Sequence, residues 1–199
     1  MPRNEYIIQD ILEAEESAST VTSDIMDIRR MDGLAVVCQC SNSAPAAKDF
    51  EDGDVSVGDD EITEVGHGYL TGAKGQLTTT GTLPAGLSLL TDYFIIKVND
   101  DTFKLAETLA KAEADDPVDI TDASGGGTHT FTPSALDMTV KYQGSIDRVT
   151  FVDVATQSIS TSCNILFNVD RPHYLWARVQ FEHEAGQSTV QAKAAIESE

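Results

Sequence analysis

The sequence predicts an all-β protein, an antiparallel β-sandwich or jelly-roll-like host domain with a small β-rich domain, carrying one short helix, inserted into it. Three observations lead there. Apolar residues alternate with polar ones in short runs, as in Met138, Val140 and Tyr142, then Ile165, Phe167 and Val169, then Leu175, Ala177, Val179 and Phe181, then Val190, Ala192, Ala194 and Ile196, which is the period of half-buried strands. Turn residues such as Asp32-Gly33 and Ala185-Gly186-Gln187-Ser188 separate the runs at sandwich spacing. The strand-helix rhythm of a parallel sheet is missing.

In chain order, Tyr6 to Leu12 is an apolar opening that reads as a strand, a short helix or an arm docking on a neighbour, with Tyr6, Ile7, Ile8, Ile11 and Leu12 as the candidate docking residues. The Val, Thr and Ile content of Thr20 to Ile28 favours a strand. Leu34 to Cys40 has the composition and length of a buried strand. Ser41 to Gly53 turns small and polar around Pro45 and reads as a linker. The insertion, residues 54–133, alternates short strands with turns and carries a helix-forming run between Glu107 and Asp116 that Pro117 must end. Ser124-Gly125-Gly126-Gly127 reads as the hinge or linker out. The host domain is then residues 1–53 with 134–199.

Thirty-three acidic residues against thirteen basic ones give a formal charge of −20 over 199 residues. That charge opposes binding to nucleic acid and suits a basic surface or a soluble subunit. No run of about eighteen apolar residues suggests a membrane span, and Met1 to Glu5 has no secretory leader pattern. The expectation is a protein made in the cytoplasm of its producing cell. Cys38 and Cys40, two apart in one strand, read as buried thiols, with Cys163 too isolated to complete a metal set.

Catalytic signals are sparse. His67, His129, His173 and His183 follow no metal-ligand spacing; His183, between Glu182 and Glu184, reads as a surface residue on a hairpin, and His67, between Gly66 and Gly68, as part of a turn. No nucleophile elbow is present. The acidic clusters at Asp52 to Asp60 and at Asp115 to Asp122 lack the twelve-residue calcium loop with its closing Glu, and read as solvated loop charge. The expectation is a non-enzyme without metal or cofactor.

Two parts of the chain resemble virion proteins of tailed phages. In the insertion the order Glu61-Ile62-Thr63, His67 to Gly72, Thr80 to Leu87, Tyr93 to Val98 and Thr102 to Ala106 resembles a recurring phage module. In the host, Gln143-Gly144-Ser145-Ile146-Asp147 followed by Val149-Thr150-Phe151 is similar to the "QGSNDG-x-x-W" turn of their β-sandwich proteins, with Ile146 where Asn is usual, Arg148 where Gly is usual and Phe151 where Trp is usual. Tyr174 to Phe181 is similar to the "YRYLRVxY" strand, and Glu184 to Val190 to the hairpin after it. The resemblance implies a virion structural protein, assembled in the host cytoplasm: a capsid decoration or cementing subunit that binds the major capsid protein or other virion proteins as a homo-oligomer. A tail, collar or baseplate accessory subunit is the alternative. So is a glycan-binding adhesion module, for which Trp176, Tyr174, Tyr69 and Tyr93 are the candidate interface aromatics.

Overall fold

The computed structural model describes residues 6–29, 31–170 and 173–198, backbone alone at 6–7, 31–32, 170 and 196–198. Strands β1 (Tyr6–Ser17), β2 (Val21–Thr22), β3 (Met26–Asp27) and β4 (Met31–Asn42) come first. They are followed by β5 (Lys48–Glu51), β6 (Val55–Ser56), β7 (Glu61–Thr63), β8 (Lys74–Thr79), β9 (Asp92–Lys97), β10 (Thr102–Ala106), helix α1 (Leu109–Glu113) and β11 (Thr128–Pro133). The last five are β12 (Asp137–Ser145), β13 (Val152–Ile159), β14 (Cys163–Asp170), β15 (Trp176–Ala185) and β16 (Ser188–Ser198). The chain forms two compact units, one of Met1–Asn42, Asp137–Glu184 and Ser188–Glu199, the other of Ser43–Leu136 with Ala185–Gln187.

The first unit is an antiparallel sandwich. One sheet has the order β1-β16-β4-β14 and the other β13-β12-β15-β2, with β3 also paired to β15. Strand alternation fills the space between them: Val36, Cys38, Val190, Ala192 and Ala194 come from the first sheet, Met138, Val140, Tyr142, Val179 and Phe181 from the second, all buried. Tyr142 and Phe167 stack across the two sheets with ring centroids 6.0 Å apart. Cys38 and Cys40 are buried, and burial pushes both thiols up to about 12. Cys163 is half-buried and opposite Cys40 in the β4–β14 register.

The second unit is a seven-stranded antiparallel sheet in the order β5-β11-β8-β9-β10-β7-β6. Its core is aromatic. Tyr69 meets Phe131 at 5.2 Å and Phe103 at 5.5 Å, both edge to face, and such pairs add about 0.5–1.5 kcal/mol each to the gain from burial. Thr108 caps α1 by accepting from the Lys111 amide.

Several expectations are corrected. Residues 41–53 are not simply a linker, because Lys48–Glu51 is β5 and pairs with β11. Gly125 to Gly127 is no loose hinge either: the Gly126 carbonyl accepts from the Thr82 amide at 3.2 Å, and a Cβ on Gly81 would lie 1.9 Å from that oxygen. His183, expected at the surface, is buried between the Ser19 carbonyl and the Ser188 hydroxyl, each at 2.8 Å. An inward position on β15 outweighs the two flanking glutamates.

The core hydroxyl of Tyr142 is buried and has no hydrogen-bond partner. Replacing Tyr142 by Phe keeps the ring stack and removes an unsatisfied polar group, so Y142F is expected to gain about 1 kcal/mol in urea unfolding; a loss of stability would mean the hydroxyl is satisfied. Burial also lowers the pKa of both His67 and His183 from the ordinary 6.5. The unfolded chain then binds protons that the folded one refuses, so stability is complete above about pH 6.5 and falls as the pH drops below it. Thermal melts from pH 7 to 5 check this, and H183N is expected to flatten the slope.

Candidate functional site

Two segments that lie about thirty residues apart in the chain meet on the face of the five-stranded sheet turned away from the core. Tyr142 points inward on β12, so its neighbours Lys141 and Gln143 point the other way, beside Arg178, Gln180 and Glu182 of β15. Gln143 is the centre of the arrangement and is 6% exposed. Its Oε1 accepts from Arg178 Nε at 2.7 Å, and its Nε2 donates to Asp153 Oδ1 at 2.6 Å and to Gln180 Oε1 at 3.3 Å. Lys141 Nζ lies 2.6 Å from Glu182 and 3.7 Å from Asp153. The Arg178 guanidinium lies over the Phe151 ring at 4.1 Å, a planar stack that a lysine could not reproduce.

Gly144 follows because nothing larger fits. A Cβ there would lie 2.4 Å from the ring of Tyr174. Ser145 and Asp147 then close the turn. Ser145 Oγ donates to Asp147 at 2.9 Å and accepts from the Arg148 amide at 2.9 Å, while Asp147 Oδ1 accepts from the amides of Val149 and Thr150 at 2.9 and 2.7 Å. The Thr150 and Val149 amides and the Ser145 hydroxyl hold the Asp147 carboxyl far below the usual carboxylate range. Within this turn Arg148 has φ +65°, a left-handed backbone that costs a residue with a Cβ about 1–2 kcal/mol.

The clamped turn presents apolar side chains to water. Ile146 is 67% and Val149 83% exposed. The turn is tied to β15 by the Leu175 amide, which donates to the Ser145 carbonyl at 2.9 Å. Beside it Trp176 is half-buried under Arg29, whose guanidinium carbon is 5.4 Å from the ring centroid. Arg29 in turn holds Asp27, lowering its carboxyl to about 2. The arrangement has the composition of a binding surface, with arginine, tryptophan and tyrosine around exposed aliphatic tips.

Of the candidate aromatics, Tyr174 and Trp176 belong to this cluster. Tyr69 and Tyr93 do not: both are buried core residues of the second unit, Tyr69 bonded to the Phe131 carbonyl at 3.4 Å and Tyr93 accepting from the Ser88 amide at 2.8 Å. The apolar opening is a strand, β1, paired with β16 in its own chain; Ile11 is buried, Leu12 half-buried and Ile8 73% exposed, and the side chains of Tyr6 and Ile7 lie outside the described residues. The sequence did not single out Arg29 or Val149. Ile146 and Arg148 carried a signal, as departures from the Asn and the Gly usual in the turn.

The second unit holds one further polar chain that the sequence hid. Thr79 Oγ1, the buried His129 ring and Asp52 are linked at 2.8 Å and 2.8 Å. Both ends are committed to backbone, Thr79 to the Gly81 amide and Asp52 to the Gly126 amide, so the chain ties three turns together. The neighbouring carboxylates are used in the same way, Asp54 by the Glu51 amide, Asp59 by Ser56 and Asp60 by the Ile120 amide. Among the described residues, no three His, Cys, Asp or Glu side chains are grouped to hold a metal, and no helix is long and apolar enough to cross a membrane.

No known protein family and no curated protein sequence matches the chain. Among solved structures, the chain is similar to the SPBc2 prophage-derived protein YomS, with 8% identity and a TM-score of 0.31 over 98% of this chain and 96% of that one. A Sulfurospirillum deleyianum protein gives 14% identity and a TM-score of 0.29 over 97% of each chain. The complex of the two major capsid proteins of bacteriophage P23-77 gives 11% and 0.21 over 98% of this chain and 99% of that chain. These likenesses are loose, and the role of this chain has to come from its own residues.

The contact between Gly144 and Tyr174 is directly testable. Gly144→Ala is expected to cost about 1–3 kcal/mol in urea unfolding by overpacking, and Tyr174→Ala in the same chain to recover part of that loss; equal losses in both backgrounds would dissociate the glycine from the ring.

Proposed function

We propose that the protein is a structural subunit of a tailed-phage virion, a decoration or cementing subunit on the outside of the head. One observation carries the reading. The two segments that resemble phage β-sandwich proteins, 143–151 and 174–181, pack into a single network in which each characteristic residue has a physical role, with Gln143 joining three strands, Gly144 admitting Tyr174, Ser145 and Asp147 closing the turn, and Arg178 stacking on Phe151. A chance match of short motifs would leave such residues scattered and unrelated in space.

A subunit of this kind works by adhesion. The network fixes a turn that offers apolar tips for contact. Many weak copies bound between neighbouring capsomers hold by multivalency without a catalytic step. The charge of −20 keeps free subunits apart in solution before they dock.

Quantitative mass spectrometry of virions purified from the producing cells tests the proposal against the major capsid protein. A near-stoichiometric ratio is expected. A ratio of a few copies per particle would move the subunit to the neck or tail, and its absence from particles would end the virion reading.

A further inference from the structure

All three cysteines of the chain lie on the β4–β14 pair, on the same face as Val36 and Phe167, which are buried in the sandwich core. Their positions in the ladder are not equivalent. Cys40 and Cys163 are direct cross-strand partners, so their Cα atoms stand about 4.5–5.5 Å apart, inside the range of about 4.4–6.8 Å that a disulfide spans. Their Cβ atoms, about 4.5–5.5 Å apart in such a pair, need to close by about 1 Å to meet the bond, and β14 is an outer strand that can move by that much. Cys38 has no such partner. Ile165 stands opposite it on β14 and Ala192 on β16, and Cys40, two residues along the same strand, has its Cβ roughly 6.6 Å away, too far for the bond.

The cysteine pair is held from both sides. The Asn42 amide donates to Ser162 Oγ at 2.9 Å just beyond it, and Cys38 faces Ile165 further along the ladder. The two thiols differ in access, Cys163 being half-buried and Cys40 2% exposed. Burial pushes the Cys40 thiol up to about 12, and the charge of Cys163 acts on it in the same direction. Each sulfur is thus within reach of the other's charge, and Cys163 is the one open to a reagent.

We infer that Cys40 and Cys163 form a cross-strand disulfide when the chain meets an oxidising small disulfide, of which oxidised glutathione is the example. Cys163 loses its proton to water, and its thiolate attacks one sulfur of the oxidant, forming a mixed disulfide and releasing one glutathione thiolate. Cys40 then gives up its proton and attacks the Cys163 sulfur, making the Cys40–Cys163 bond and releasing the second glutathione. In sum, two protein thiols and one glutathione disulfide become one protein disulfide and two glutathiones, which take up the two protons. A reducing cytoplasm keeps the thiols, and an oxidising medium outside the cell closes the bond. The bond ties β14 to an inner strand of its sheet. It also closes a loop over residues 41–162, which include the Ser43–Leu136 segment of the second unit, and closing so long a loop takes entropy from the unfolded chain. The staple belongs to the chain itself, with or without a virion.

The test incubates the full chain with oxidised glutathione, caps the remaining thiols in urea and maps the peptides by mass spectrometry without reduction. One capped thiol, on Cys38, is expected in place of three, with the Cys40 and Cys163 peptides joined in a monomeric chain. The thermal midpoint should rise by about 5–10 °C, and dithiothreitol should return it. Cys163→Ala should abolish both the joined peptides and the rise, and Cys38→Ala should keep both. Three thiols still capped after the treatment, glutathione left on Cys163 as the end state, or a dimer linked through Cys163 each overturns the inference, and all three are read on the unaltered chain.

Discussion

The side chain of Gln143 is the constraint on which the rest of the site depends. A primary amide taken out of water must have its donors and its acceptor used, or the unsatisfied group costs about 1–3 kcal/mol. Here the acceptor takes Arg178 and the donors reach Asp153 and Gln180, so one residue on β12 fixes a strand on either side. Arg178, once held at its Nε, can only lay its plane along Phe151. That contact anchors the far end of the 145–150 turn, and Ser145 and Asp147 fix its middle. Removing the amide would leave Arg178 and Asp153 without the group that orients them.

The fold was legible because strand period is a property of the sequence itself. Met138, Val140 and Tyr142 alternate on paper and all three are buried in β12, and Ala177, Val179 and Phe181 do the same in β15. What stayed hidden was pairing. Lys48 to Glu51 is polar and short, and only its partner β11 makes it a strand, so its composition pointed to a linker. His183 was misjudged because its charged neighbours are visible in sequence while Ser19, which accepts its ring at 2.8 Å, is 164 positions away. Tyr69 and Tyr93 failed as surface candidates for a related reason: an aromatic residue beside glycines or turns is compatible with either a platform or a core, and the rings of Phe103 and Phe131 hold Tyr69 in the core while Tyr93 is buried with its hydroxyl accepting from the Ser88 amide.

The candidate site was half legible. The motif named Gln143, Gly144, Ser145, Asp147, Tyr174 and Arg178, and each has a partner that explains its identity. Of the exposed residues at the same turn, Ile146 and Arg148 stood out only as departures from the motif, which does not say where their side chains go. Ile146 and Val149 read simply as apolar residues, and nothing in an apolar residue says that it will be left in water. Only the hydrogen bonds that fix the surrounding backbone show that these two side chains have no route inward.

Strain and charge meet at Arg148, and together they explain why the turn is built as firmly as it is. A left-handed residue with a side chain persists only where its surroundings over-determine it. The Ser145 hydroxyl receives the Arg148 amide, and Asp147 receives the two amides that follow, so the backbone on both sides is held. The gain is a cation fixed at the end of a chain whose net charge is −20. Arg148 therefore stands exposed on a turn whose backbone is held on both sides.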